Sequence, residues 1–246
     1  MGDVDMKVTL LRHTAGAEEL LACAARVCYS ARTIEEIAGT VDGEGDWVGR
    51  LARMGHLSPL EHAVFTFGVE GVSRSLLAQV TRHRIASFSV RSQRYVGETG
   101  KAHPDGVFAY VVPPSIQVLG PSYVAEFAAQ MEKMQEWYDY WVEALGGGRA
   151  TYEDARYVLP NAAATSLVMT MNARELRHFF RLRLCLRAQW EIRAMADKML
   201  ELARSAAPRL FAGAGPACVG GACPEGDMTC GRITGIRRRY GSGGGE

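Results

Sequence analysis

Hydrophobic positions near the start of the chain recur with the spacings of one strand and two helices. The alternation at 6–12 predicts an opening strand. Helical spacing begins near Glu18 and ends around Tyr29-Ser30, and one stripe carries Leu21, Ala24, Ala25 and Cys28. A second helix is predicted over 46–54. Its signals are an N-cap residue, an apolar face and a C′ glycine, namely Asp46, then Trp47, Leu51 and Met54, then Gly55.

The next segment combines a polar loop, a strand and a short helix. Residues 56–62 are predicted to form the loop, and the clean alternation over 63–69 predicts the strand. Ser73 is predicted to cap the helix. The apolar side of that helix carries Leu76, Leu77 and Val80. Gln79 and Arg82 lie three residues apart, so they project from neighbouring turns near the helix end.

The middle of the chain predicts a strand followed by a long helix. The strand covers 107–112 and stops at Pro113. The helix starts at Pro121 and ends at the glycines 146–148. Its apolar residues alternate in steps of three and four, as in a heptad seam: Val124, Phe127, Met131, Met134, Tyr138, Trp141 and Leu145. Such a seam is more often a core or subunit contact than a cofactor site, and we predict the contact.

Residues 151–171 contain one helix and one ambiguous apolar run. The helix is predicted over 151–159, carries Arg156 and stops before Pro160. The run 162–171 fits either a strand or a buried helix, because periodicity alone does not separate the two for a short apolar stretch.

The helix predicted after this run carries a candidate functional arginine. Asn172 followed by Glu175 has the outline of a capping box, and the helix that it opens runs to about Arg187. Arg183 lies about 20° from Asn172 around the helix axis, on the face that also carries Phe179. Its guanidinium is therefore predicted to meet a partner in a partly buried place.

Together these elements predict an α+β fold with a central mixed or antiparallel sheet flanked by helices. A last helix is predicted over 188–206. We expect one domain over 1–240, followed by a flexible glycine-rich tail at 241–246.

The strongest chemical signal lies at 79–95. This stretch holds one histidine, three serines and no acidic residue, and its arginines are Arg82, Arg84, Arg91 and Arg94. Guanidinium groups and hydroxyls match a phosphate or a carboxylate, and each charge-assisted bond contributes about 1.5–3 kcal/mol. We therefore predict an anion site. Part of the segment is expected to be buried, because apolar residues interleave with the polar ones: Ile85, Ala86, Phe88 and Val90.

The composition limits the possible functions. The 246 residues are 48% hydrophobic and 22% charged, as in an ordinary globular protein. A net charge of +1 gives no chain-wide attraction to nucleic acid or to an anionic membrane, so we predict neither as a partner. No apolar run has the length of a membrane span, and the start lacks the hydrophobic region of a signal peptide. We expect a cytoplasmic protein with six reduced cysteines.

Other residues leave alternative chemistries open. Ser92 or Cys185 could act as a nucleophile, although arginines surround Ser92 and leucines flank Cys185. Cys218, Cys223 and Cys230 could bind zinc, but a fourth ligand is not evident, and we predict no metal site.

Two other classes of protein compete with the anion-site hypothesis. Basic residues interleaved with Phe88 and Tyr95 would suit a module that binds RNA or single strands, although the net charge is near zero. A metal-dependent hydrolase is a further alternative, for which the carboxylate and histidine clusters are missing.

Short motifs run in order along most of the chain, from roughly residue 20 to 195. Arg82-His83-Arg84 is followed after seven residues by Ser92. The supporting motifs are Ala-Ala-Arg-Val-Cys-Tyr-Ser at 24–30, His56–His62, Ala155–Pro160, Asn172–Glu175 and Arg187–Glu191. In type and order they resemble those of the flavin-dependent thymidylate synthase family. The resemblance implies conversion of dUMP to dTMP in a homotetramer with active sites at subunit interfaces, with methylene-tetrahydrofolate and NADPH as co-substrates and FAD as cofactor.

The resemblance also implies roles for particular residues. Those for dUMP would be Gln79, Val80, Thr81, Arg82, Val90, Arg91, Ser92, Gln93, Arg94, Arg156 and Arg183, with 90–94 coming from a neighbouring subunit. Those for FAD would be Ser58, Arg82, His83, Arg84, Val90, Asn172, Ala173, Arg174 and His178. His56 would lie on the flavin and folate side. Arg183 would be catalytic: it is too weak an acid to serve as a base, so its fixed charge would stabilise the ionised uracil ring without a protein nucleophile.

The chain departs from the family pattern at two places along the sequence. Ser89-Val90 stand where some members carry Asn-Glu, so an acidic contact to a ligand is absent there. His178 stands where other members have Asn, and it can still donate or accept one hydrogen bond. The capped helix start at 172–174 is compatible with an anionic cofactor, because free N–H groups and the helix dipole favour negative charge.

Overall fold

The structure of the protein is a computed structural model that describes residues 2–41, 50–51 and 54–241. These residues divide into two compact units. Unit 1 comprises Met1–Lys7, Val69–Arg82 and Phe88–Val168. Unit 2 comprises Val8–Gly68, His83–Ser87 and Met169–Glu246. The predicted tail at 241–246 lies outside the described residues except for its first glycine.

The strands are β1 (Lys7–His13), β2 (Val64–Ser73), β3 (Ser87–Val90) and β4 (Ala164–Asn172). They form one antiparallel sheet in the order β1-β2-β4-β3. The predicted α+β class with a central antiparallel sheet is therefore confirmed. The run 162–171, which periodicity left open, is a strand.

The helices of the described residues are α1 (Ala17–Val27), α2 (Ile34–Ala38), α3 (Arg74–Val80), α4 (Pro114–Leu119), α5 (Pro121–Ala144), α6 (Tyr152–Ala155), α7 (Ala173–Arg183), α8 (Trp190–Ala206) and α9 (Ile233–Tyr240). The helix predicted over 151–159 is α6 flanked by two short 3-10 helices. The predicted loop 56–62 is wrong in part, because Ser58–His62 forms a 3-10 helix. None of the described helices is long and apolar enough to cross a membrane.

The helix predicted over 46–54 lies mostly outside the described residues. Arg50 and Leu51 are helical. Gly55 has a φ of +72°, and the His56 N–H donates to the Leu51 carbonyl at 2.9 Å across it. This geometry agrees with the predicted C′ glycine.

Strand β2 runs four residues further than the predicted 63–69, and a glycine makes this possible. Gly71 has a φ of +65°, and a Cβ there would lie 2.1 Å from the Asp5 carbonyl oxygen. Only glycine tolerates both the left-handed backbone and so close an approach. Ser73 then ends the strand and caps α3 as predicted, its Oγ accepting the Leu76 N–H at 3.1 Å.

Unit 2 is built around buried aromatic rings. The ring of Phe211 meets Phe65 of β2 and Phe180 of α7 edge-on, with centroids 5.1 and 5.9 Å apart. Leu21 of α1 is also buried. Cys28, by contrast, follows the end of α1 and is exposed, so the helix ends before the last residue of the predicted stripe.

The segment 107–112 of unit 1 does not form the predicted strand. Tyr110 makes single-residue bridges to two different segments. The Phe108 N–H donates to Oε1 of Gln135 at 2.8 Å, and Nε2 of Gln135 donates to the Glu98 carbonyl at 2.8 Å. The alternation therefore reflects burial of Phe108 and Tyr110. A side chain, rather than a neighbouring strand, satisfies part of the backbone.

Helix α5 is the predicted long helix, but it buries only part of the predicted seam. Met131 and Tyr138 are buried, and so is the polar Gln135 between them. Trp141 and Leu145, at the end of the seam, are 44% and 47% exposed. The seam is a core contact in its middle, whereas its last two positions face outward in the single chain.

Helix α7 starts at the predicted cap and ends earlier than predicted. The Asn172 side-chain oxygen accepts the Glu175 N–H at 2.8 Å. The helix stops at Arg183 rather than near 187. A new cap follows, since the Gln189 side chain accepts N–H groups of the first turn of α8, which begins at Trp190. Sequence reasoning treated 188–206 as one run and did not identify this cap.

Candidate functional site

The basic stretch 82–94 contains two buried polar side chains among exposed arginines. His83 and Gln93 are buried, at 6% and 9% exposure. The four arginines are exposed, as the anion-site hypothesis requires. The predicted partial burial of the segment is confirmed by Ala86, Phe88 and Val90, whereas Ile85 is 67% exposed.

Three predicted nucleotide residues lie together within unit 1. Arg94 Nε donates to a carboxylate oxygen of Glu153 at 2.7 Å, and Arg156 Nε donates to the Glu153 carbonyl at 3.1 Å. Both side chains of the Arg94–Glu153 pair are about half exposed, so solvent limits the pair to about 0–1 kcal/mol. Ser92 Oγ accepts the Arg94 N–H at 3.2 Å, a turn contact rather than a feature of a nucleophile.

The predicted residues at the end of α3 use their side chains locally. Gln79 Nε2 donates to the Ser75 carbonyl at 3.3 Å, and Thr81 Oγ1 donates to the Leu77 carbonyl at 2.8 Å. The Val80 side chain is fully buried. Like the rest of the residue, it is inaccessible in the single chain.

In unit 2, the imidazole of His83 is bonded at both ring nitrogens. Nδ1 lies 3.0 Å from Glu175 Oε1, and Arg183 Nε donates to Nε2 at 3.0 Å. Arg183 is half-buried, so the predicted meeting with a partner is confirmed and the partner is His83. Burial lowers the pKa of His83; the hydrogen bond that the ring makes to Glu175 opposes this shift and the charge of Arg183 reinforces it. Because a guanidinium can only donate, Nε2 is the acceptor in the contact with Arg183.

A cleft of about 1020 Å³ opens at the start of α7. Its residues from α7 and its cap are Asn172, Arg174, Glu175, Arg177, His178 and Arg181. Small residues at 213–217 and 220–222 line it as well. Cationic side chains beside a helix N-terminus suit a pyrophosphate, and the volume accommodates a large ligand. The residues present fit a flavin dinucleotide.

The other predicted flavin residues differ in their surroundings. Ala173 is fully buried, and its N–H donates to the Ala63 carbonyl at 2.8 Å. Ser58 and Arg84 are exposed. Neither of them, nor His83, is among the described residues that line the cleft. The structure thus gathers three of the predicted residues at the cleft, Asn172, Arg174 and His178.

His56, predicted on the flavin and folate side, is paired with Tyr29. The Tyr29 hydroxyl lies 2.5 Å from Nδ1 of His56, and the two rings are nearly parallel, with centroids 6.1 Å apart. Tyr29 belongs to the motif at 24–30 and also lines a second cavity of about 480 Å³. Sequence reasoning assigned Tyr29 no role.

The thiols near the end of the chain lie close enough to influence one another. Burial raises the pKa of the Cys218 thiol, and the thiols of Cys223, Cys185 and Cys230 raise it further. In the part of the chain that the structure describes, no group of three or more histidine, cysteine or acidic side chains is arranged to hold a metal ion. The zinc alternative gains no support from these residues.

Cysteine labelling should distinguish the exposed Cys28 from the buried Cys218. At pH 8, Cys28 should react with iodoacetamide at least about tenfold faster than Cys218, because alkylation requires an accessible thiolate. Mass spectrometry of peptides from timed samples measures both rates in one tube, and denatured protein is the control in which the two should converge. Equal rates in the native protein would contradict the buried placement of Cys218.

Sequence reasoning missed two acidic site residues. Glu175 was assigned only to helix capping, yet its carboxylate contacts His83 and is 8% exposed. A signal was present: Glu175 precedes Leu176 on a helix with a strong apolar face, and a buried acid needs a partner. Glu61 bonds Arg174 at 2.6 Å across 113 positions of sequence, and no local pattern indicates that pair.

Comparison with known proteins places the chain among enzymes of nucleotide metabolism. Residues 9–209 match the family model described as thymidylate synthase complementing protein. The chain is 46% identical over 237 residues to a flavin-dependent thymidylate synthase of Geobacter sulfurreducens, which covers 96% of this chain and 98% of that one. It is 43% identical over 249 residues to the same enzyme of Clostridium tetani, with 96% and 97% covered.

A solved structure supports the same placement. A UMP/dUMP methylase, PolB of Streptomyces cacaoi, bound with 5-Br dUMP, superposes with a TM-score of 0.69 at 26% identity, over 85% of this chain and 94% of that one. The fold is that of an α+β protein that exposes an arginine-rich stretch at 82–94. The chain belongs to the thymidylate synthase complementing protein family.

Proposed function

We propose that the protein is a flavin-dependent thymidylate synthase that converts dUMP to dTMP, with methylene-tetrahydrofolate as carbon donor and NADPH as reductant. The observation that carries this proposal is the contact between Arg183 and the buried His83. A guanidinium fixed in a partly buried place stabilises an anionic ring more strongly than a solvated one. Arg183 would thus favour the ionised form of uracil.

FAD would occupy the cleft at the start of α7. Asn172, Arg174 and His178 line this cleft, and we propose that they hold the cofactor. Bound flavin would carry the electrons that reduce the transferred carbon to a methyl group. We propose flavin contacts also for Ser58, Arg82, Arg84, Val90 and Ala173. His56 would lie on the flavin and folate side.

The residues proposed for dUMP include several arginines, and Arg183 is one of them. Arg82, Arg94 and Arg156 supply fork donors for phosphate. Gln93 Nε2 is buried and has no hydrogen-bond partner within the described residues, so an acceptor from a ligand or another subunit would satisfy it. This supports a site shared between subunits. The other residues proposed to bind dUMP are Gln79, Val80, Thr81, Val90, Arg91 and Ser92.

The proposed active form is a homotetramer in the cytoplasm, with one synthase domain over residues 1–240. The outward-facing end of the α5 seam, Trp141 and Leu145, offers apolar surface that a partner subunit would cover. Residues 90–94 would reach the active site of a neighbouring subunit.

A visible spectrum of the purified protein tests the proposed function. We expect a yellow protein whose flavin absorbance changes on addition of dUMP and which forms dTMP when methylene-tetrahydrofolate and NADPH are supplied. UMP is the matched control for nucleotide specificity. A colourless protein that shifts labelled RNA in a salt-dependent way would contradict the proposal and favour the RNA-binding alternative. Loss of activity with a chelator would favour the hydrolase alternative.

A further inference from the structure

Three side chains of unit 2 are joined in series by hydrogen bonds. The Glu175 carboxylate meets Nδ1 of His83 at 3.0 Å, and Nε2 of the same ring meets Nε of Arg183 at 3.0 Å. Glu175 and His83 are 8% and 6% exposed. Both ring nitrogens of His83 are therefore committed within the chain.

The chemistry of the two outer groups determines where the imidazole carries its proton. A guanidinium can only donate, so Nε2 must be the unprotonated acceptor. The proton then lies on Nδ1, and the carboxylate of Glu175 can accept it. The three groups are consistent with one arrangement only: carboxylate, neutral imidazole protonated at Nδ1, and guanidinium.

The Glu175 carboxylate contacts His83 although a capping-box bond to the backbone of Asn172 is its local alternative. Its N–H is bonded to the Asn172 cap, but its carboxylate turns to His83, which lies 92 positions away in sequence. The Phe179 ring packs against the imidazole edge-on, with centroids 4.9 Å apart, and limits its rotation. The ring is held from three sides, and the orientation of the Arg183 Nε–H follows from it.

We propose that Glu175 and His83 are positioning residues that orient the Arg183 guanidinium, and that the ring nitrogens of His83 serve this contact rather than a flavin contact. The inference rests on the proposed function, because it concerns the arginine proposed to stabilise the ionised uracil. It assigns to Glu175 a role that helix capping does not explain.

Protonation of His83 would disrupt the series. A proton on Nε2 removes the acceptor and places a positive ring beside the guanidinium. The charged and titratable groups that act on the ring are Glu175, His178 and Arg183, all from α7. Burial, the largest cause, lowers the pKa of His83, so the acidic loss of activity should lie below pH 6.5, the ordinary value for histidine.

The stability of the fold, like the activity, should fall as the pH falls. Because the native ring has a lower pKa than the ring in the unfolded chain, the unfolded chain binds the proton first as pH falls. The contribution of His83 to stability is present above 6.5 and is lost progressively as pH falls below that value, down to the lowered native pKa.

The pH profile of kcat in Glu175→Gln is the decisive experiment. We expect the plateau to fall about 10- to 100-fold, as for residues that orient a functional group, with flavin content unchanged. We also expect the acidic limb to move to lower pH, because the lost carboxylate is a group that raises the pKa of His83. A merely structural role would not move this limb. Glu225→Gln, which removes an exposed ion pair with Arg187, is the matched control.

A second variant removes the titration while keeping the hydrogen bonds. The amide of His83→Gln can donate to Glu175 and accept from Arg183, so we expect partial activity and no acidic limb from this position. Nitrogen NMR of the wild-type protein with labelled histidine should show His83 protonated at Nδ1 at pH 7.5 and does not depend on how the variants fold. An unchanged acidic limb in Glu175→Gln, or a proton on Nε2, would overturn the inference. Failure of the wild-type protein to form dTMP would instead contradict the proposed function, and the NMR result would still decide the positioning.

Discussion

Arg183→Ala should lower dTMP formation by at least about 10²–10³-fold, while flavin remains bound. The magnitude is that expected when one preorganised electrostatic group is removed from a site. Flavin should remain because the described lining of the cleft at the start of α7 does not include Arg183. Single-turnover dTMP formation and the visible spectrum of the same sample measure the two properties together.

Arg187→Ala is the control for this variant. It removes another arginine of the segment between α7 and α8, one that pairs with Glu225 at 2.7 Å and has no proposed role in the site. Its activity should stay within about twofold of wild type, since exposed ion pairs contribute little. Undiminished dTMP formation in Arg183→Ala would remove Arg183 from the mechanism.

Phe211→Ala should have the largest effect on stability, lowering the free energy of unfolding by about 3–5 kcal/mol. The ring is completely buried and touches aromatic rings of β2 and α7, so its removal leaves a cavity that neither element can fill. Urea unfolding at one fixed protein concentration is the measurement, because assembly into a tetramer would make the midpoint depend on concentration.

Met228→Ala controls for truncation in the same C-terminal region. Its side chain is 64% exposed, so the free energy of unfolding should change by less than about 0.5 kcal/mol. If Phe211→Ala were equally mild, the segment after α8 would not contribute to the core of unit 2.

Hydrophobic periodicity predicted the elements whose burial is set by their own faces. Strand β2, the start of α5 and the capped start of α7 all follow from local spacing and cap chemistry. The predictions fail where contacts with residues distant in sequence determine the local structure. Residues 107–112 alternate like a strand, but Tyr110 makes only isolated bridges, and a glutamine of α5 accepts the Phe108 N–H. Likewise, nothing local shows that Phe211 packs against Phe65 and Phe180.

In the candidate site, too, some features follow from local sequence and others depend on residues far apart in the chain. The cluster of cationic residues at 82–94 is visible in sequence because like charges in one stretch need an anion or solvent. The helical phase of Arg183 indicated a partly buried partner, but not which one. The pairs Glu175–His83 and Tyr29–His56 are 92 and 27 positions apart, and such separations leave no periodic trace.

The bidentate role of Gln135 restricts how α5 can evolve or be redesigned. Its amide serves two backbone groups, the Phe108 N–H and the Glu98 carbonyl, from a position 3% exposed on the helix face that packs inward. A leucine there would complete an apolar pattern and yet strand a donor and an acceptor away from water, and a glutamate would keep the acceptor while losing the donor. Homologues or designs that replace this amide must therefore rebuild the loop 98–108 along with the helix.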